Sequence, residues 1–459
     1  MARNILRTTS LRSLLQVSLL AGAGVLQASP ALANGRFPTA QHLVEYPGDP
    51  QRLLLRTTFG LLLSRDSGAS WSWVCEKAVG FRDNDDPPVD VASSGALLVG
   101  VFGGLRISRD GGCEWATAPE IKDKYVKDVS VFPNDPSKAV LVVSNGSSDG
   151  TFTNQVYKTE DDGVTWTQLG PNLPNDLIPY TLDVAPSNPS HVYVTARLDS
   201  ADAGNTDLGR LLQLSAAGTA WDSVPIPGNG DPYLSAVDPN DEKVVYVRMD
   251  DIETDRLVVS RDAGNTFTEA MSAAGTPGML GFALSPDGKT VLLGVDPNGL
   301  YRAPASTLVF EQIQDFRVQC LTWTTNAIYA CSSYFLDGSF VEAGFLLGRS
   351  TDNGASFSPL WRRLGDVVGP IKCAAGTTSE KLCPGTWPTV QCNTLGKCPT
   401  RDAGAGSDAG PNGGSNDGGS ESCSCRQVAS GSAALLPLFG LLALLLRARR
   451  RSRPQIRQR

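Results

Sequence analysis

Histidine is almost absent from this chain, which contains only His42 and His191 among its 459 residues. No Cys-x-x-Cys pair occurs, and neither histidine lies close in sequence to a cysteine. Tetrahedral zinc sites need clustered cysteine and histidine ligands, so the sequence argues against a zinc site. The scarcity of histidine also argues against a Ser-His-Asp triad, which needs a histidine beside both a nucleophile and an acid. We therefore assign no catalytic residue and no cofactor-binding residue from the sequence.

Long apolar runs are missing except at the two ends of the chain. Residues 1–33 carry three arginines, then an apolar run, then Ala31-Leu32-Ala33. This is the order of a secretory signal peptide with cleavage after Ala33. Residues 428–446 are uncharged and just long enough to cross a bilayer as a helix, and seven arginines follow within residues 447–459. The sequence therefore predicts an exported chain with one C-terminal transmembrane helix.

The region between these ends is acidic. The formal charge of the whole chain is −7. Residues 1–33 and 447–459 together contain ten arginines and no Asp or Glu. Residues 34–446 therefore carry a formal charge of −17. Such a surface repels phosphate backbones, which excludes nucleic acid as a partner.

Ten cysteines, an even number, predict disulfides in an exported protein. Their connectivity stays open at this point, and free, buried cysteines are the alternative. One pairing joins Cys320 to Cys331 across a hairpin, and another joins Cys75 to Cys113 between the first two repeat units. The remaining proposal is a small knot after the repeats, formed by Cys373, Cys383, Cys392 and Cys398.

One short phrase occurs five times along the chain. Each copy reads Ser/Thr-x-Asp-x-Gly and is followed, three residues after the glycine, by Trp or Phe. The copies are Ser64, Asp66, Gly68 and Trp71; Ser108, Asp110, Gly112 and Trp115; Thr159, Asp161, Gly163 and Trp166; Ser260, Asp262, Gly264 and Phe267; and Ser350, Asp352, Gly354 and Phe357. A degenerate copy at residues 215–221 lacks the aspartate. The phrase, called the box turn below, predicts a hairpin: Asp accepts backbone N–H groups, Gly permits a positive φ, and the aromatic ring is buried.

A second set of turn residues recurs at a period similar to that of the box turns. These residues are spaced 38 to 54 positions apart and precede β-rich runs: Asp49, Ser94, Asn134, Asn188, Asn240, Asp287 and Thr325. Units of four short strands, a to d, at this period predict a single all-β propeller of about seven blades over residues 34–369. Six or eight blades stay open. An array of β-sandwiches is the alternative, and it would need repeats of about twice this length.

The box turn resembles the Asp box, or BNR repeat. Propellers with this repeat include sialidases, sortilin-type receptors, two-propeller xyloglucan hydrolases and a photosystem assembly factor. The resemblance implies the propeller fold but does not decide function, because unrelated activities share this scaffold. The box turns are interpreted as structural, since they lie between strands c and d near the rim.

Three segments are predicted after the propeller. Residues 370–399 form a small Cys-rich segment, and residues 400–422 form a flexible Gly/Ser/Asp-rich spacer that cannot bury a core. Residues 423–459 contain Cys423-Ser-Cys425, the apolar span and the arginine cluster. This order resembles the MYXO-CTERM sorting tail of bacterial surface proteins, which implies processing near Cys423 and Cys425 and display at the outer surface. A plain membrane anchor is the alternative.

The long b–c and d–a loops are the candidate recognition surface. They are rich in Asp and Asn and are expected on one face, at residues 83–86, 145–154, 199–207, 250–255 and 335–343. Such a face suits carbohydrate hydroxyls, a basic protein surface or a weakly held calcium ion. The calcium candidates are Asp250, Asp251, Glu253 and Asp255, which lack the glycine and spacing of an EF-hand.

Two functional hypotheses follow. The preferred one is a monomeric, non-catalytic recognition propeller of a bacterial cell envelope, with a glycan or protein ligand. The alternative is an exo-acting glycoside hydrolase, sialidase-like or other. A sialidase would need an arginine triad and a tyrosine–glutamate pair, and Gly35-Arg36-Phe37-Pro38 matches that family's Phe/Tyr-Arg-Ile-Pro motif only loosely. Sialidases also have six blades.

Overall fold

A computed structural model describes residues 39–82, 85–199, 207–274, 278–332 and 343–393 of this chain. Within these residues, consecutive groups of four antiparallel strands form seven sheets. The first strands of neighbouring sheets pack against one another, which places them around a central axis. The fold is an all-β propeller of seven blades, and this prediction from the repeat spacing is confirmed.

Blades 1 to 3 contain strands β1 to β12. The bounds are β1 (Ala40–Tyr46), β2 (Asp49–Thr57), β3 (Gly60–Ser64) and β4 (Ser72–Val74) in blade 1; β5 (Val89–Val91), β6 (Leu97–Val101), β7 (Gly104–Ser108) and β8 (Ala116–Thr117) in blade 2; and β9 (Val126–Val131), β10 (Ala139–Gly146), β11 (Phe152–Thr159) and β12 (Thr167–Gln168) in blade 3.

Blades 4 to 7 contain strands β13 to β28. The bounds are β13 (Leu177–Ala185), β14 (Asn188–Leu198), β15 (Gly209–Leu214) and β16 (Trp221–Pro225) in blade 4; β17 (Asp231–Val237), β18 (Val245–Asp250), β19 (Thr254–Ser260) and β20 (Thr268–Ala274) in blade 5; β21 (Gly278–Leu284), β22 (Thr290–Asp296), β23 (Gly299–Pro304) and β24 (Glu311–Gln314) in blade 6; and β25 (Val318–Trp323), β26 (Ile328–Ser332), β27 (Leu347–Ser350) and β28 (Ser358–Trp361) in blade 7.

Short helical elements and one further strand connect or follow the blades. They are the helix α1 (Glu76–Val79), two 3₁₀ turns (Pro119–Ile121 and Leu364–Asp366), the strand β29 (Gly369–Pro370) and the helix α2 (Thr378–Asn393). The predicted a–b turns fall between the first two strands of every blade, as the spacing of the turn residues indicates.

The second strand of each blade is buried on both faces. Leu53, Leu54 and Leu55 of β2 have no exposed surface, and β10 and β22 contain equally buried runs. Both faces are buried because each sheet is packed between two neighbouring sheets around the ring. Apolar residues in these strands therefore occur consecutively rather than at alternate positions.

The ring closes where blade 7 meets blade 1. The carboxylate of Glu45 in β1 accepts hydrogen bonds from Asn326 Nδ2 at 2.6 Å, Tyr329 Oη at 3.0 Å and Thr324 Oγ1 at 3.2 Å. These donors all belong to blade 7. One acidic side chain of the first strand thus binds the last blade by three hydrogen bonds.

The segment after blade 7 returns to the start of the ring. Strand β29 pairs in parallel with β4 at the outer edge of blade 1. A disulfide joins Cys383 in α2 to Cys75 after β4, with a Cα–Cα distance of 5.2 Å, and another joins Cys373 to Cys113 in the box turn of blade 2, at 5.5 Å. The C-terminal segment therefore holds blades 1 and 2 covalently.

This connectivity corrects two of the pairings considered from the sequence. Cys75 and Cys113 do not bond to each other, and Cys373 and Cys383 do not join a separate knot. The reason is circular closure, which brings residues about 300 positions apart side by side. The hairpin disulfide between Cys320 and Cys331 is confirmed.

Several predicted segments lie outside the described residues. They are the signal peptide with Ala33, the spacer at 400–422, and the tail with Cys423, Cys425 and the apolar span. In the part of the chain that the structure describes, no helix is both long and apolar enough to cross a membrane.

We expect the two long-range disulfides to substitute partly for each other. They span 308 and 260 residues, so either one restricts the unfolded chain in nearly the same way. Serine substitution of Cys75 and Cys383 alone should lower the free energy of unfolding much less than substitution of all four cysteines, which should cost on the order of 5 kcal/mol. Urea unfolding without reductant, followed by tryptophan fluorescence, measures both losses. Strictly additive losses would contradict this expectation, and the Cys320/Cys331 double serine variant is the short-loop control.

Candidate functional site

The five box turns share one hydrogen-bond pattern. In each turn the Ser or Thr hydroxyl accepts the N–H of the glycine, at 2.7 to 3.0 Å. The aspartate accepts the N–H of the residue four positions later, at 2.8 to 2.9 Å. Each glycine has a positive φ. The turns lie between the third and fourth strands of blades 1, 2, 3, 5 and 7, as predicted.

The aspartates of the box turns accept hydrogen bonds from residues of their own hairpins. Asp161 accepts hydrogen bonds from the Thr159 hydroxyl, the Thr165 hydroxyl and the Thr165 N–H. These bonds, led by that from the Thr165 hydroxyl, lower the pKa of Asp161 to about 2. The rings of Trp71, Trp115 and Trp166 are buried beside their turns, whereas Phe267 and Phe357 are half-buried. The geometry agrees with a structural role for the box turns.

Removing one of these aspartates should destabilise the fold without changing ligand binding. We expect Asp161→Ala to lower the free energy of unfolding by about 1–2 kcal/mol, because an N–H and two hydroxyl groups lose their acceptor. Chemical denaturation measures the loss. Asp222→Ala, which removes an exposed aspartate in β16, is the matched control. An unchanged stability of the Asp161 variant would contradict a structural role.

The opposite face of the ring carries the b–c and d–a connections, and a row of aromatic side chains lies there. The rings of Phe102 and Tyr125 are 5.2 Å apart between centroids, and those of Tyr180 and Tyr233 are 5.1 Å apart. Phe102 is 44% exposed, and the three tyrosines are half-buried. We call these four residues the aromatic arc. It runs from blade 2 to blade 5 around the mouth of the central channel.

Three cations lie against the aromatic arc. The contacts, measured to the ring centroids, are Arg82 over Phe102 at 3.1 Å, Lys127 over Tyr125 at 5.0 Å and over Tyr180 at 5.6 Å, and Arg248 over Tyr233 at 4.7 Å. Cations near ring faces are attracted by the negative charge of the π system. Arg82 and Arg248 thus lie at the two ends of the aromatic arc, and Lys127 lies between its two ring pairs.

β-Bulges position part of this arrangement. Register shifts in the innermost strands of six blades each insert one extra residue, and these are Gln41, Lys127, Tyr180, Ser235, Leu280 and Gln319. A bulge re-aims the inserted side chain and is common near functional sites. All six residues stay partly accessible although they belong to inner strands, which solvent reaches from the channel. Lys127 and Tyr180 occupy equivalent bulges in adjacent blades, which explains why they meet.

A groove lies at the edge of blade 5, the blade that also carries Tyr233 of the aromatic arc. Its volume is about 620 Å³, and it is lined by Gly228, Asn229, Asp251, Ile252, Glu253, Thr254 and Arg256. The Ile252 side chain is 87% exposed at its edge. The predicted recognition loop at residues 250–255 therefore forms one wall of a surface groove. Residues 83–84, 200–206 and 333–342, parts of the other predicted loops, lie outside the described residues.

The structure does not bring the four calcium candidates around one point. Asp255 is buried and accepts the N–H of Asp251 at 3.0 Å, together with an N–H of blade 6. Asp250 lies 3.3 Å from a guanidinium nitrogen of Arg248, and Asp251 accepts the N–H of Glu253. Across the described ranges, no group of three or more His, Cys, Asp or Glu residues is arranged to hold a metal ion. The carboxylates of Asp251 and Asp255 instead accept backbone N–H groups, and that of Asp250 lies beside Arg248.

Three aspartates of the innermost strands form a cluster that the sequence reading did not single out. Asp90 accepts the N–H of Val131 in the next blade at 2.7 Å, and Asp128 likewise accepts the N–H of Leu182 at 2.9 Å. Both residues are half-buried, and protein atoms surround their carboxyl groups. Burial, with a smaller contribution from the charge of Asp183, raises the pKa of Asp90 and of Asp128 to about 7. Burial also raises the pKa of Asp183.

The raised pKa values predict a loss of stability as pH rises from mildly acidic to neutral. A carboxyl group whose pKa is higher in the folded than in the unfolded chain stabilises the fold while protonated, and this contribution disappears as pH rises through the folded pKa. The same aspartates ionise near pH 4 in the unfolded chain, so the free energy of unfolding should fall from about pH 4 to about pH 7.5 and level off above it, where both states are ionised. Burial lowers the pKa of His42 from 6.5 to about 4, and this histidine acts in the opposite direction between those values because only the unfolded chain then binds its proton, but one histidine does not outweigh the aspartates.

Equilibrium unfolding at several pH values tests this expectation. Asp90→Asn should flatten the profile, whatever it does to the absolute stability, because one titrating group is removed. Asp222→Asn should leave the slope unchanged. A slope that is already flat in the unmodified protein would contradict the raised pKa values.

Fold and site together define a seven-bladed propeller with an aromatic arc at its channel mouth. No protein-family model and no curated protein matches the sequence. Similar solved structures include the GH74 xyloglucanase from Xanthomonas campestris, at 16% identity over 69% of this chain and 59% of that chain, with a TM-score of 0.41. Another is YCF48 from Cyanidioschyzon merolae, at 14% identity over 64% of this chain and 92% of that chain, with a TM-score of 0.42.

A third similar structure is the extracellular domain of BT4673 from B. thetaiotaomicron. It is 13% identical over 65% of this chain and 38% of that chain, with a TM-score of 0.45. This chain thus spans 38% of the length of the BT4673 extracellular domain and 59% of the length of the xyloglucanase. At such identities the likeness concerns the fold alone, and no residue role is transferred from these proteins.

Proposed function

We propose that this protein is an exported, non-catalytic recognition module that binds a glycan across the channel mouth. The observation that carries the proposal is the aromatic arc, because half-exposed rings on a rigid scaffold offer faces for sugar rings to stack on. The adjoining groove at residues 251–254 extends this surface, and its backbone and side-chain polar groups suit sugar hydroxyls. A monomer suffices for this mode of binding.

The pairing of the carboxylates supports binding rather than hydrolysis. Glycoside hydrolysis needs one protonated acid and one free base or nucleophile facing the same bond. Around the mouth, Asp231 lies 2.9 Å from Arg197, Asp250 pairs with Arg248, and Asp296 pairs with Arg317. The channel aspartates in turn hold backbone N–H groups of neighbouring blades. The carboxylates described here are therefore engaged in structural contacts.

The chain is further proposed to be an Asp-box propeller displayed at a bacterial cell surface. The shared hydrogen bonds of the box turns support the first part. Three disulfides within the described residues support export, because disulfides persist in oxidising compartments. Anchoring through residues 423–459, with processing near Cys423 or Cys425 in the manner of a MYXO-CTERM tail, rests on the sequence pattern.

Binding of the purified full chain to an array of oligosaccharides tests the proposal. We expect Tyr180→Ala and Tyr233→Ala each to weaken binding by about tenfold, since each removes one stacking face. Asp251→Ala should weaken it less, by loosening one wall of the groove. Trp221→Ala, which removes a half-buried ring from the opposite face, is the matched control for stability and affinity.

A hydrolysis assay with the same purified chain tests the alternative function. Release of sugar from fluorogenic glycosides, abolished by one carboxylate substitution, would replace the proposal with an exo-acting hydrolase. Absence of binding to every saccharide tested would reject glycan recognition.

A further inference from the structure

Lys127 occupies an unusual position at the channel mouth. It is the extra residue of the bulge in β9, and its ammonium group lies between the rings of Tyr125 and Tyr180. Tyr180 is the extra residue of the equivalent bulge in the next blade. Two neighbouring blades thus use the same backbone irregularity to hold a cation against an aromatic ring. The side chain is half-buried yet open to the mouth.

The charge of Lys127 is not neutralised by the protein. Among the described residues, no carboxylate oxygen lies within 4.0 Å of its Nζ, and the Nζ donates no hydrogen bond to them. Asp231 is the acidic residue that acts on it through space, but its carboxylate is bound to Arg197 at 2.9 Å. The adjacent Asp128 directs both carboxylate oxygens to backbone N–H groups.

The other mouth cations near the inner strands differ in this respect. Arg197 pairs with Asp231, and Arg248 contacts Asp250 and also donates to the Met279 carbonyl oxygen at 2.6 Å. Lys127 is therefore a partly desolvated ammonium group whose N–H donors have no acceptor among the described residues. Burial is the main cause that lowers the pKa of Lys127, because the protein surroundings compensate the charge incompletely.

An anionic oxygen from a ligand would supply the missing partner. The tyrosine rings stabilise the ammonium group by cation–π attraction but accept none of its N–H bonds. Charge-assisted hydrogen bonds to carboxylate or sulfate oxygens are about twice as strong as neutral ones. A sugar that carries such a group could place its ring against Tyr180 while its anion meets the Nζ of Lys127.

We propose that Lys127 forms an anion-binding subsite within the glycan site, specific for the carboxylate or sulfate group of an acidic sugar. This inference rests on the proposed glycan recognition and specifies its ligand class. Tyr125 and Tyr180 position the ammonium group, and the ring of Tyr180 provides the adjoining stacking face. Neutral sugars bind elsewhere along the aromatic arc without using this subsite.

Affinity measurements with the full chain and three oligosaccharides test the subsite. The probes are an oligogalacturonate for carboxylates, a heparin-derived oligosaccharide for sulfates and a cello-oligosaccharide as the neutral reference. Lys127→Gln should weaken binding of at least one anionic probe by about tenfold or more, and leave neutral binding unchanged. Lys127→Arg should retain most of the affinity. Lys122→Gln is the matched control, because it removes the same charge from an exposed lysine just before β9.

The outcomes distinguish this inference from the broader function. The anionic probe that loses affinity identifies carboxylate or sulfate as the recognised group. Binding of neutral probes alone, or anionic binding that Lys127→Gln leaves unchanged, overturns the subsite while glycan recognition stands. An equal loss with Lys122→Gln would indicate general charge attraction and would also overturn it. If none of the three probes and no saccharide on the array binds, both proposals fail. Thermal unfolding of each variant confirms that the fold is retained.

Discussion

Hydrogen bonds from one inner strand to the next blade are the contacts on which the ring depends. Asp90 and Asp128 each accept a backbone N–H from the following blade, and Thr181 accepts that of Leu234 in the same way. A four-stranded sheet buried on both faces cannot exist alone, so each blade needs its neighbours to cover it. Glu45 completes the circle from blade 1 to blade 7. The inner strands consequently act as a fixed frame.

That frame explains how the candidate site is assembled. Phe102, Tyr125, Tyr180 and Tyr233 come from four blades and about 130 residues of chain, yet they form two ring pairs, each with centroids about 5 Å apart, and Lys127 contacts a ring of each pair. Each ring lies in a strand or within two residues of one, rather than in a long loop. The site therefore needs little ordering on binding, which limits the conformational entropy lost with the ligand.

Most of the fold was predictable from local sequence patterns. The contacts that form when the ring closes were not. The box turns and the a–b turns are contiguous phrases, so their recurrence predicted units of four strands and about seven blades. The pairing of Cys75 with Cys383 depends on where the chain returns after a full circle, which no local pattern encodes. The aromatic arc was missed for a similar reason, since its members occupy different positions within their units. The bulge that aims Lys127 also has no sequence signature of its own.

The covalent return of the C-terminal segment has a mechanical consequence. Blade 7 consists of four consecutive strands, so by itself it could be peeled away by tension on the chain that follows it. A pull applied beyond α2 reaches Cys383 first and then Cys373, and both are cross-linked to the opposite end of the repeat array. The two disulfides therefore transmit the pulling force to blades 1 and 2. The last blade is shielded from that force.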